Sequence, residues 1–409
     1  MEEWKEYKIG DVCKIKRGAS PRPIQQFLSN KGMPWVKIAD ATASNSMFLD
    51  STKEYIIEEG VSKSVTVLPG TLIVSNSATP GLPKVIRIKA CVHDGWLVIS
   101  DFKGVLRDFM YYKFVDIRRN LSNQANGSVF QNLKTDIVRD YSINIPSLKT
   151  QEKIVSILKS LDDKIEVNRK INENLEQQAQ ALFKSWFVDF EPFKNGEFVE
   201  SELGRIPKGW RVGTLDEIGD VVGGSTPSKS KPEYYADKGI AWLTPKDLSI
   251  SNNKFTAKGE IDITEEGYKS CSTKLMPKGS VLFSSRAPIG YITIAKNDIC
   301  TNQGFKSVVP KLAGTAFIYY FLKISTKDIE NKATGSTFKE ASGALMKSLQ
   351  LIIAPERILH DFENIMKPLF TQQEVLEDES RRLAELRDTL LPKLMSGELK
   401  VNEIEPYLQ

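Results

Sequence analysis

Cationic, hydroxyl and amide side chains are concentrated in three loops of each half of the sequence. The loops are KIKRGASPRP (14–23), SNSATPGLPK (75–84) and NQANGSVFQNLK (123–134), and then GGSTPSKSK (223–231), SSRAPIG (284–290) and NKATGSTFKE (331–340). Lys and Arg attract phosphate groups, whereas hydroxyl and amide groups offer directional donors and acceptors to base edges. These loops therefore have the chemistry of a duplex-binding surface.

The candidate contact residues carry such groups in loops at equivalent positions of the two halves. In the first half they are Lys16, Arg17, Ser20, Arg22, Asn76, Lys84, Asn126, Ser128 and Lys134. In the second half they are Ser225, Thr226, Ser228, Lys229, Ser285, Arg286, Lys332, Ser336 and Lys339. For any single residue a solvated turn is an equally good interpretation. Only the recurrence of polar loops at matching places favours a binding surface.

The loops recur because the chain contains two copies of one larger unit. GSVFQNLK begins at residue 127 and GSTFKEAS at 335, a spacing of 208, and three further matches in the same order are 206 to 209 residues apart. One of them aligns Trp35 with Trp242. Such spacings are too long for a solenoid repeat. The pattern predicts an ancestral duplication.

Motifs for independent catalysis are missing from the sequence. It contains no Walker A motif, and His93 and His360 lie in different copies without neighbouring metal ligands. The four cysteines are far apart, which favours reduced, structural thiols over a metal site or a disulfide framework. A stand-alone nuclease or methyltransferase would need a carboxylate cluster or a cofactor loop.

Composition indicates an ordinary globular protein of two or three domains. The chain has 409 residues, 41% of them hydrophobic and 26% charged, and a net charge of +4, which permits nucleic-acid binding without requiring it. No apolar run reaches the length of a membrane span, and the N-terminus has no signal-peptide character. We therefore expect no membrane association and a cytoplasmic location.

Two long helices should separate the globular parts. Apolar residues alternate at spacings of three and four after Gln151 and again after Pro355, which is typical of a coiled coil. The predicted seam consists of Ile154, Leu158, Leu161, Ile165, Asn168, Leu175, Leu182, Ile358, Phe362, Ile365, Leu369, Leu376, Leu383 and Leu390. Polar residues interrupt both seams, so an antiparallel pairing should bring Asn168 and Asn172 near Gln372 and Glu379. Pro368 should kink or break the second helix at 364–367.

Short β-branched runs separated by Gly and Pro turns, with a few helices, make up the rest of each copy. The predicted fold class is thus α+β, with two globular domains in tandem repeat, a two-helix antiparallel coiled coil between them, and a pseudo-two-fold relation.

Several phrases of the sequence resemble one family over the whole chain. The stretch 128–193, which contains FKSWFVDFEPF, and the stretch LLPKLMSGELKV (390–401) are similar to the specificity subunit of Type I restriction-modification systems, known as HsdS. The second copy departs from the family pattern at IIAPERILHDFENI, where a Pro is more typically followed by a Glu-Gln pair.

The resemblance implies a division of the chain into recognition and spacer regions. These are target recognition domain 1 (1–146), a central helical spacer (147–190), a linker (191–204), target recognition domain 2 (205–355), a distal helical spacer (356–401) and a C-terminal tail (402–409).

The same resemblance implies a non-catalytic subunit that binds a bipartite, asymmetric site on double-stranded DNA. Two modification subunits (HsdM), which methylate adenine N6, and restriction subunits (HsdR) would be its partners. S-adenosylmethionine, ATP and Mg would bind only to those partners, and none to this chain. The alternative is a non-catalytic, two-headed protein scaffold without base readout.

Overall fold

The computed structural model describes residues 4–43, 46–124, 132–250, 253–335 and 339–401, with the side chain of residue 250 excluded. Contacts divide the chain into two compact units. Unit 1 comprises residues 1–167 and 380–409, and unit 2 comprises residues 168–379. Each unit therefore combines one globular half with segments of both long helices.

Unit 1 contains twelve strands in its described residues: β1 (Lys5–Lys8), β2 (Lys14–Arg17), β3 (Leu28–Ser29), β4 (Met33–Val36), β5 (Phe48–Leu49), β6 (Glu54–Ile56), β7 (Val65–Val67), β8 (Leu72–Ser75), β9 (Pro83–Ile86), β10 (Ala90–Val92), β11 (Trp96–Ser100) and β12 (Ser142–Ile145). Its helices are α1 (Ile9–Val12), α2 (Ile38–Thr42), α3 (Glu58–Val61), α4 (Arg107–Asn123), α5 (Thr135–Asp140) and the first half of α6 (Leu148–Phe187), with a 3-10 turn at Ile24–Gln26.

Two five-stranded sheets form the body of unit 1. Their orders are β2-β11-β8-β9-β5 and β3-β6-β4-β10-β7, and β1 pairs separately with β12. Strand β8 has the sequence LIVS and is buried along its whole length, because both of its faces are covered. The mixture of helices and sheets confirms the predicted α+β class.

Unit 2 contains thirteen strands in its described residues: β13 (Phe198–Ser201), β14 (Gly204–Pro207), β15 (Arg211–Thr214), β16 (Gly219–Gly223), β17 (Tyr235–Ala236), β18 (Trp242–Leu243), β19 (Phe255–Thr256), β20 (Asp262–Ile263), β21 (Val281–Ser285), β22 (Ile289–Ala295), β23 (Cys300–Thr301), β24 (Lys306–Pro310) and β25 (Gln350–Ile353). Its helices are the second half of α6, α7 (Leu215–Ile218), α8 (Pro245–Ile250), α9 (Glu265–Lys269), α10 (Thr315–Lys332), α11 (Gly343–Lys347) and the first part of α12 (Glu356–Ser396), with 3-10 turns at Glu191–Phe193 and Pro232–Tyr234.

One five-stranded sheet of unit 2, in the order β16-β24-β21-β22-β19, corresponds to the first sheet of unit 1. The second sheet is reduced to two-stranded pairs, among them β18 with β23. That pair aligns Trp242 with Cys300 in parallel, as β4 and β10 align Trp35 with Cys91 in unit 1. All four side chains are buried, so both tryptophans serve core packing.

The two long helices are each continuous. Helix α12 passes through Pro368 without a break, so a break at 364–367 is wrong, whereas a kink there stays a prediction. Proline removes one backbone donor, which costs about 3 kcal/mol or more in a helix interior. Buried Phe362, Met366 and Phe370 surround this turn, and their packing supplies stabilisation that offsets the loss. None of the helices in the described part of the chain has the length and hydropathy of a membrane-spanning segment.

The predicted seam residues differ in burial. Six are buried: Ile154, Leu158, Leu161, Asn168, Phe362 and Leu376. Seven are half-buried: Ile165, Leu175, Leu182, Ile358, Leu369, Leu383 and Leu390. Ile365 is 43% exposed, so its predicted place in the buried seam is wrong.

The prediction omitted other buried positions on the same helices, including Ile157, Phe183, Met366, Phe370 and Leu394. The helices pack against the globular part of their unit as well as against each other, so the buried face is wider than a two-residue coiled-coil seam.

Within unit 2 the two helix segments are antiparallel. The Asn168 Nδ2 donates to Glu379 Oε2 at 2.7 Å, and Asn172 Nδ2 donates to the carbonyl oxygen of Gln373 at 3.5 Å. Glu379 was predicted as a partner, whereas Gln372 is exposed and Gln373 takes its place. Within unit 1, Arg387 of α12 and Asp162 of α6 form an ion pair with an N···O distance of 2.6 Å.

Candidate nucleic-acid interface

Four of the candidate residues of unit 1 converge on the turn between β10 and β11. Ser20 Oγ donates to Asp94 Oδ1 at 2.6 Å, and Arg22 Nη2 lies 3.3 Å from Asp94 Oδ2. The Asp94 carbonyl oxygen accepts from Arg17 Nε at 2.8 Å and from Asn76 Nδ2 at 3.1 Å. Asp94, which the sequence analysis did not select, is thus the centre of this cluster.

The turn at residues 93–95 is held by its own local contacts. The Gly95 N–H donates to His93 Nδ1 at 2.7 Å, and a Cβ at Gly95 would lie 2.1 Å from the imidazole Cε1. Burial lowers the pKa of His93 and so favours the neutral ring, which can accept this hydrogen bond. Only glycine fits at position 95 without displacing the ring.

The Asp94 carboxylate is charged at neutral pH. The hydrogen bond from Ser20 is the largest cause of its lowered pKa, and the charge of Arg22 contributes in the same direction. The side chain is 39% exposed. Its negative charge is therefore engaged by the surrounding donors while it remains accessible at the surface.

Unit 2 contains an equivalent turn at residues 302–304. Gly304 N–H donates to Asn302 Oδ1 at 2.8 Å, as Gly95 does to His93, and Thr226 Oγ1 donates to Gln303 Oε1, as Ser20 does to Asp94. Thus Gln303 occupies the place of Asp94.

The surrounding main-chain hydrogen bonds also match between the units. In unit 1 they are Gly18 N to Trp96 O (2.8 Å), Ala19 N to Val92 O (3.2 Å) and Asn76 N to Gly95 O (2.9 Å). In unit 2 they are Gly224 N to Phe305 O (3.4 Å), Ser225 N to Thr301 O (3.0 Å) and Ser285 N to Gly304 O (2.7 Å). The two surfaces therefore share a backbone frame and differ in their exposed side chains.

Three candidates are buried and are corrections to the predicted surface. Asn76 is 2% exposed, Lys84 is 3% exposed, and Ser285 is fully buried with its Oγ donating to the Gly304 carbonyl at 3.1 Å. Lys84 Nζ donates to the Ser46 carbonyl, and burial, aided by Arg118, lowers the pKa of Lys84 to about 8. Asn76 and Ser285 instead stabilise the turns from the buried side, through hydrogen bonds to the carbonyl oxygens of Asp94 and Gly304.

The remaining candidates are exposed or half-buried. Lys16 and Lys134 are exposed in unit 1, as are Ser228, Lys229, Lys332 and Lys339 in unit 2, and Ser225 and Thr226 are half-buried. Arg286 Nη1 lies 3.5 Å from Glu340 Oε2, and Lys306 pairs with the other oxygen of Glu340 at 3.2 Å. Asn126, Ser128 and Ser336 lie outside the described residues.

Sequence reasoning missed Asp94 and Glu340 because it selected for cationic and uncharged polar groups, and it missed Gln303 because the segment 300–305 was not among its candidate loops. A signal was present, since CVHDGW (91–96) and CTNQGF (300–305) are aligned copies of one turn. The polar positions that precede the shared glycine in these two segments are His93 and Asp94 in one copy and Asn302 and Gln303 in the other.

Comparisons with known proteins agree with this duplicated architecture. A family model described as the Type I restriction modification DNA specificity domain matches residues 1–177 and 207–380. The chain is 28% identical to the Type I restriction enzyme MjaIX specificity subunit of Methanocaldococcus jannaschii, covering 98% of this chain and 95% of that one. It is 26% identical to the HindI specificity subunit of Haemophilus influenzae, covering 98% and 100%.

A solved structure has the same fold. The Type I restriction-modification system S subunit from M. genitalium aligns with a TM-score of 0.61 at 15% identity, over 96% of both chains. With the two matches of the family model, these similarities show that the chain belongs to the family of specificity subunits of Type I restriction-modification systems.

Proposed function

We propose that this chain binds double-stranded DNA and selects the target of its complex, with each unit recognising one half of a bipartite, asymmetric site. The observation that carries the proposal is the pair of equivalent turns at 93–95 and 302–304. A common main-chain frame presents the same approach to DNA, while different side chains on it select different bases.

The chain performs no chemistry alone in this proposal. Methyl transfer, with S-adenosylmethionine, belongs to two modification subunits, and cleavage, with ATP and Mg, belongs to restriction subunits. The seam residues Leu175, Leu182, Leu383 and Leu390 are half-buried within their own units, so part of their surface remains for such partners. The proposed setting is the cytoplasm.

Exchange of one recognition half tests modular readout. Residues 205–355 would be replaced by the matching segment of a relative, and the complex with its modification subunits would be studied by methylation sequencing. We expect one half of the methylated site to change while the other stays the same. A simultaneous change of both halves would contradict modular recognition.

A second experiment separates DNA recognition from a purely architectural role. The purified chain, with and without modification subunits, would be incubated with a library of duplexes, and bound molecules would be sequenced. Enrichment of a bipartite sequence supports the proposal. Assembly of the complex without any sequence enrichment would support a scaffold, and methylation by the isolated chain would contradict a non-catalytic role.

A further inference from the structure

Arg17 is the one arginine of the Asp94 cluster whose side chain is bound through Nε rather than through its terminal nitrogens. The Nε donates to the Asp94 carbonyl oxygen at 2.8 Å. Among the residues that the structure describes, no acceptor is bonded to the Nη1 or Nη2 of Arg17. This hydrogen bond, the Nε clamp, restricts the orientation of the guanidinium plane. The terminal Nη1 and Nη2 donors, here called the fork, remain available for a ligand.

The position of Arg17 at a sheet edge leaves this fork accessible. Arg17 is the last residue of β2, an edge strand of its five-stranded sheet, and its side chain is exposed. The neighbouring Asp94 carboxylate is engaged by Ser20 and Arg22, and Lys16 adds a further exposed cation. These donors and charges offset the repulsion that a lone carboxylate would exert on a phosphate backbone.

We propose that Arg17 recognises a guanine in the half-site bound by unit 1, and that the Asp94 turn orients it. This inference depends on the proposed function, in which unit 1 binds duplex DNA. The two terminal donors of a fixed guanidinium match the O6 and N7 acceptors of guanine in the major groove. Because the Nε clamp already restricts rotation, less conformational freedom is lost when the contact forms.

A contact between Arg17 and a phosphate would use the same fork, but the comparison with unit 2 favours a base. Gly223 is the residue of β16 that is equivalent to Arg17, since it pairs with Lys306 as Arg17 pairs with Leu97. A phosphate contact fixes the register of a duplex irrespective of sequence, so both units would need it. A base contact is expected to differ between two units that recognise different sequences.

The test uses the intact complex with its modification subunits and a library of duplexes with randomised half-sites at one salt concentration. Arg17→Ala and Arg17→Lys would be compared with wild type and with Lys103→Ala. Lys103 is an exposed cation beyond the opposite end of β11 from the Asp94 turn, so it controls for loss of one positive charge. Circular dichroism and complex assembly would verify that each variant folds.

We expect wild type to prefer G·C at one position of one half-site. Arg17→Ala should reduce that preference at least about tenfold, with the other positions and the other half-site unchanged. Arg17→Lys should keep part of the affinity and lose most of the discrimination, because an ammonium group lacks the fork. Lys103→Ala should retain the wild-type preference.

Two outcomes would overturn the assignment of Arg17. If Arg17→Ala lowered the affinity for all DNA sequences equally and reduced the salt dependence of binding by about one counterion, Arg17 would be a phosphate contact. An unchanged sequence profile would place Arg17 outside the interface. If wild type itself enriched no bipartite sequence, the proposed function would fail and the inference with it.

Discussion

The two units attach their globular parts to the helices by different arrangements around a shared tyrosine. In unit 1, Tyr112 OH donates to Asp162 Oδ2 at 2.8 Å, and the balancing cation is Arg387 of α12. In unit 2, the equivalent Tyr320 donates to Glu176 Oε2 at 2.8 Å, and the cations are Lys254 and Lys323 of the globular part. Both units thus place a carboxylate of α6 against the equivalent tyrosine, but Asp162 and Glu176 are not equivalent positions of the repeat, and the source of the positive charge also differs.

The two cations also differ in access to solvent. Lys254 is only 7% exposed and bonds to Glu176, the Tyr320 hydroxyl and Gln373 Oε1 at 2.8 to 2.9 Å, whereas the side chain of Arg387 is 24% exposed. A buried charge that loses its partner cannot recover hydration, and a half-buried one can do so in part. The same kind of ion pair should therefore matter more in unit 2.

Removal of the unit 2 carboxylate should have the largest effect. Burial alone would raise the pKa of Glu176, but Lys254 and the hydrogen bonds from Lys323 and Gln180 together lower it to about 2. Glu176→Gln removes the ion-pair partner of the buried Lys254 and should lower the free energy of unfolding of unit 2 by about 3 kcal/mol. Asp162→Asn should cost unit 1 about 1 to 2 kcal/mol, since Arg387 can gain water.

Hydrogen exchange with mass spectrometry measures both effects, because each unit has its own peptides. Glu173→Gln is the matched control, since Glu173 lies one turn before Glu176 on α6 and its side chain is 57% exposed. Equal destabilisation by the Glu173 and Glu176 variants would contradict the importance of burial.

A second expected difference between the units concerns pH. Glu377 accepts from the backbone N–H groups of Lys254 at 2.8 Å and Phe255 at 3.2 Å, and burial raises its pKa from 4.5 to about 7. Between these values native unit 2 binds more protons than the unfolded chain, so its stability should fall as pH rises from 4.5 to 7, by up to about 3 kcal/mol.

Glu377→Gln should remove most of this pH dependence. Burial also raises the pKa of Glu363, which would account for the remaining slope. Pulse proteolysis in urea at several pH values would measure the pH dependence of the stability of unit 2, with fragments of unit 1 as the internal reference. An undiminished slope in the Gln variant would exclude Glu377 as its main source.

A third prediction transfers the proposed guanine contact from unit 1 to unit 2. A Cβ at Gly223 would meet only Lys306 Cδ, at 3.9 Å, so the backbone can carry a side chain there. Gly223→Arg should introduce a preference of about tenfold for G·C at the matching position of the second half-site. Selection of bound duplexes would measure this change.

Gly343→Arg is the control for added charge, because a Cβ at Gly343 meets nothing within 4 Å. It should change the affinity for all sequences alike. If Gly223→Arg did the same, the equivalence of the two positions in DNA recognition would be wrong.

Sequence alone predicted what depends on local periodicity and internal repetition. The duplication, the two helices and the contact between Asn168 and Glu379 follow from spacings that can be counted along the chain. The burial of Lys84 could not be predicted, since it depends on the carbonyl of Ser46 and on strands that come together only in the fold. The wide buried face of α6 was missed for the same reason, because Ile157 and Phe183 pack against globular parts remote in sequence.

The candidate surface was predicted in part. Arg17, Ser20 and Arg22 were selected by their donor groups, and the structure brings them together at Asp94. Asp94 was missed because a carboxylate repels phosphate groups, and the donors that surround it come together only in the fold. Asn76 and Ser285 were selected by residue type, although their neighbours bury them.

The smallest expected effect concerns two equivalent short helices that begin differently. Helix α9 follows Thr264, whose Oγ1 accepts from the Gly267 N–H at 3.1 Å, whereas α3 follows Ile57, which packs against apolar neighbours and makes no side-chain cap. The backbone at both positions is extended, with φ of −74° and −69°.

Thr264→Ala should therefore destabilise the region around α9 by about 1 kcal/mol, a typical loss for a removed N-cap. Ile57→Thr should give no matching gain, because the new hydrogen bond would replace the partly buried apolar contact of Ile57, which is of comparable worth. Hydrogen exchange of peptides spanning 232–270 and 24–67 would measure both variants. A clear stabilisation by Ile57→Thr would mean that capping, and not apolar packing, limits the stability of this helix in unit 1.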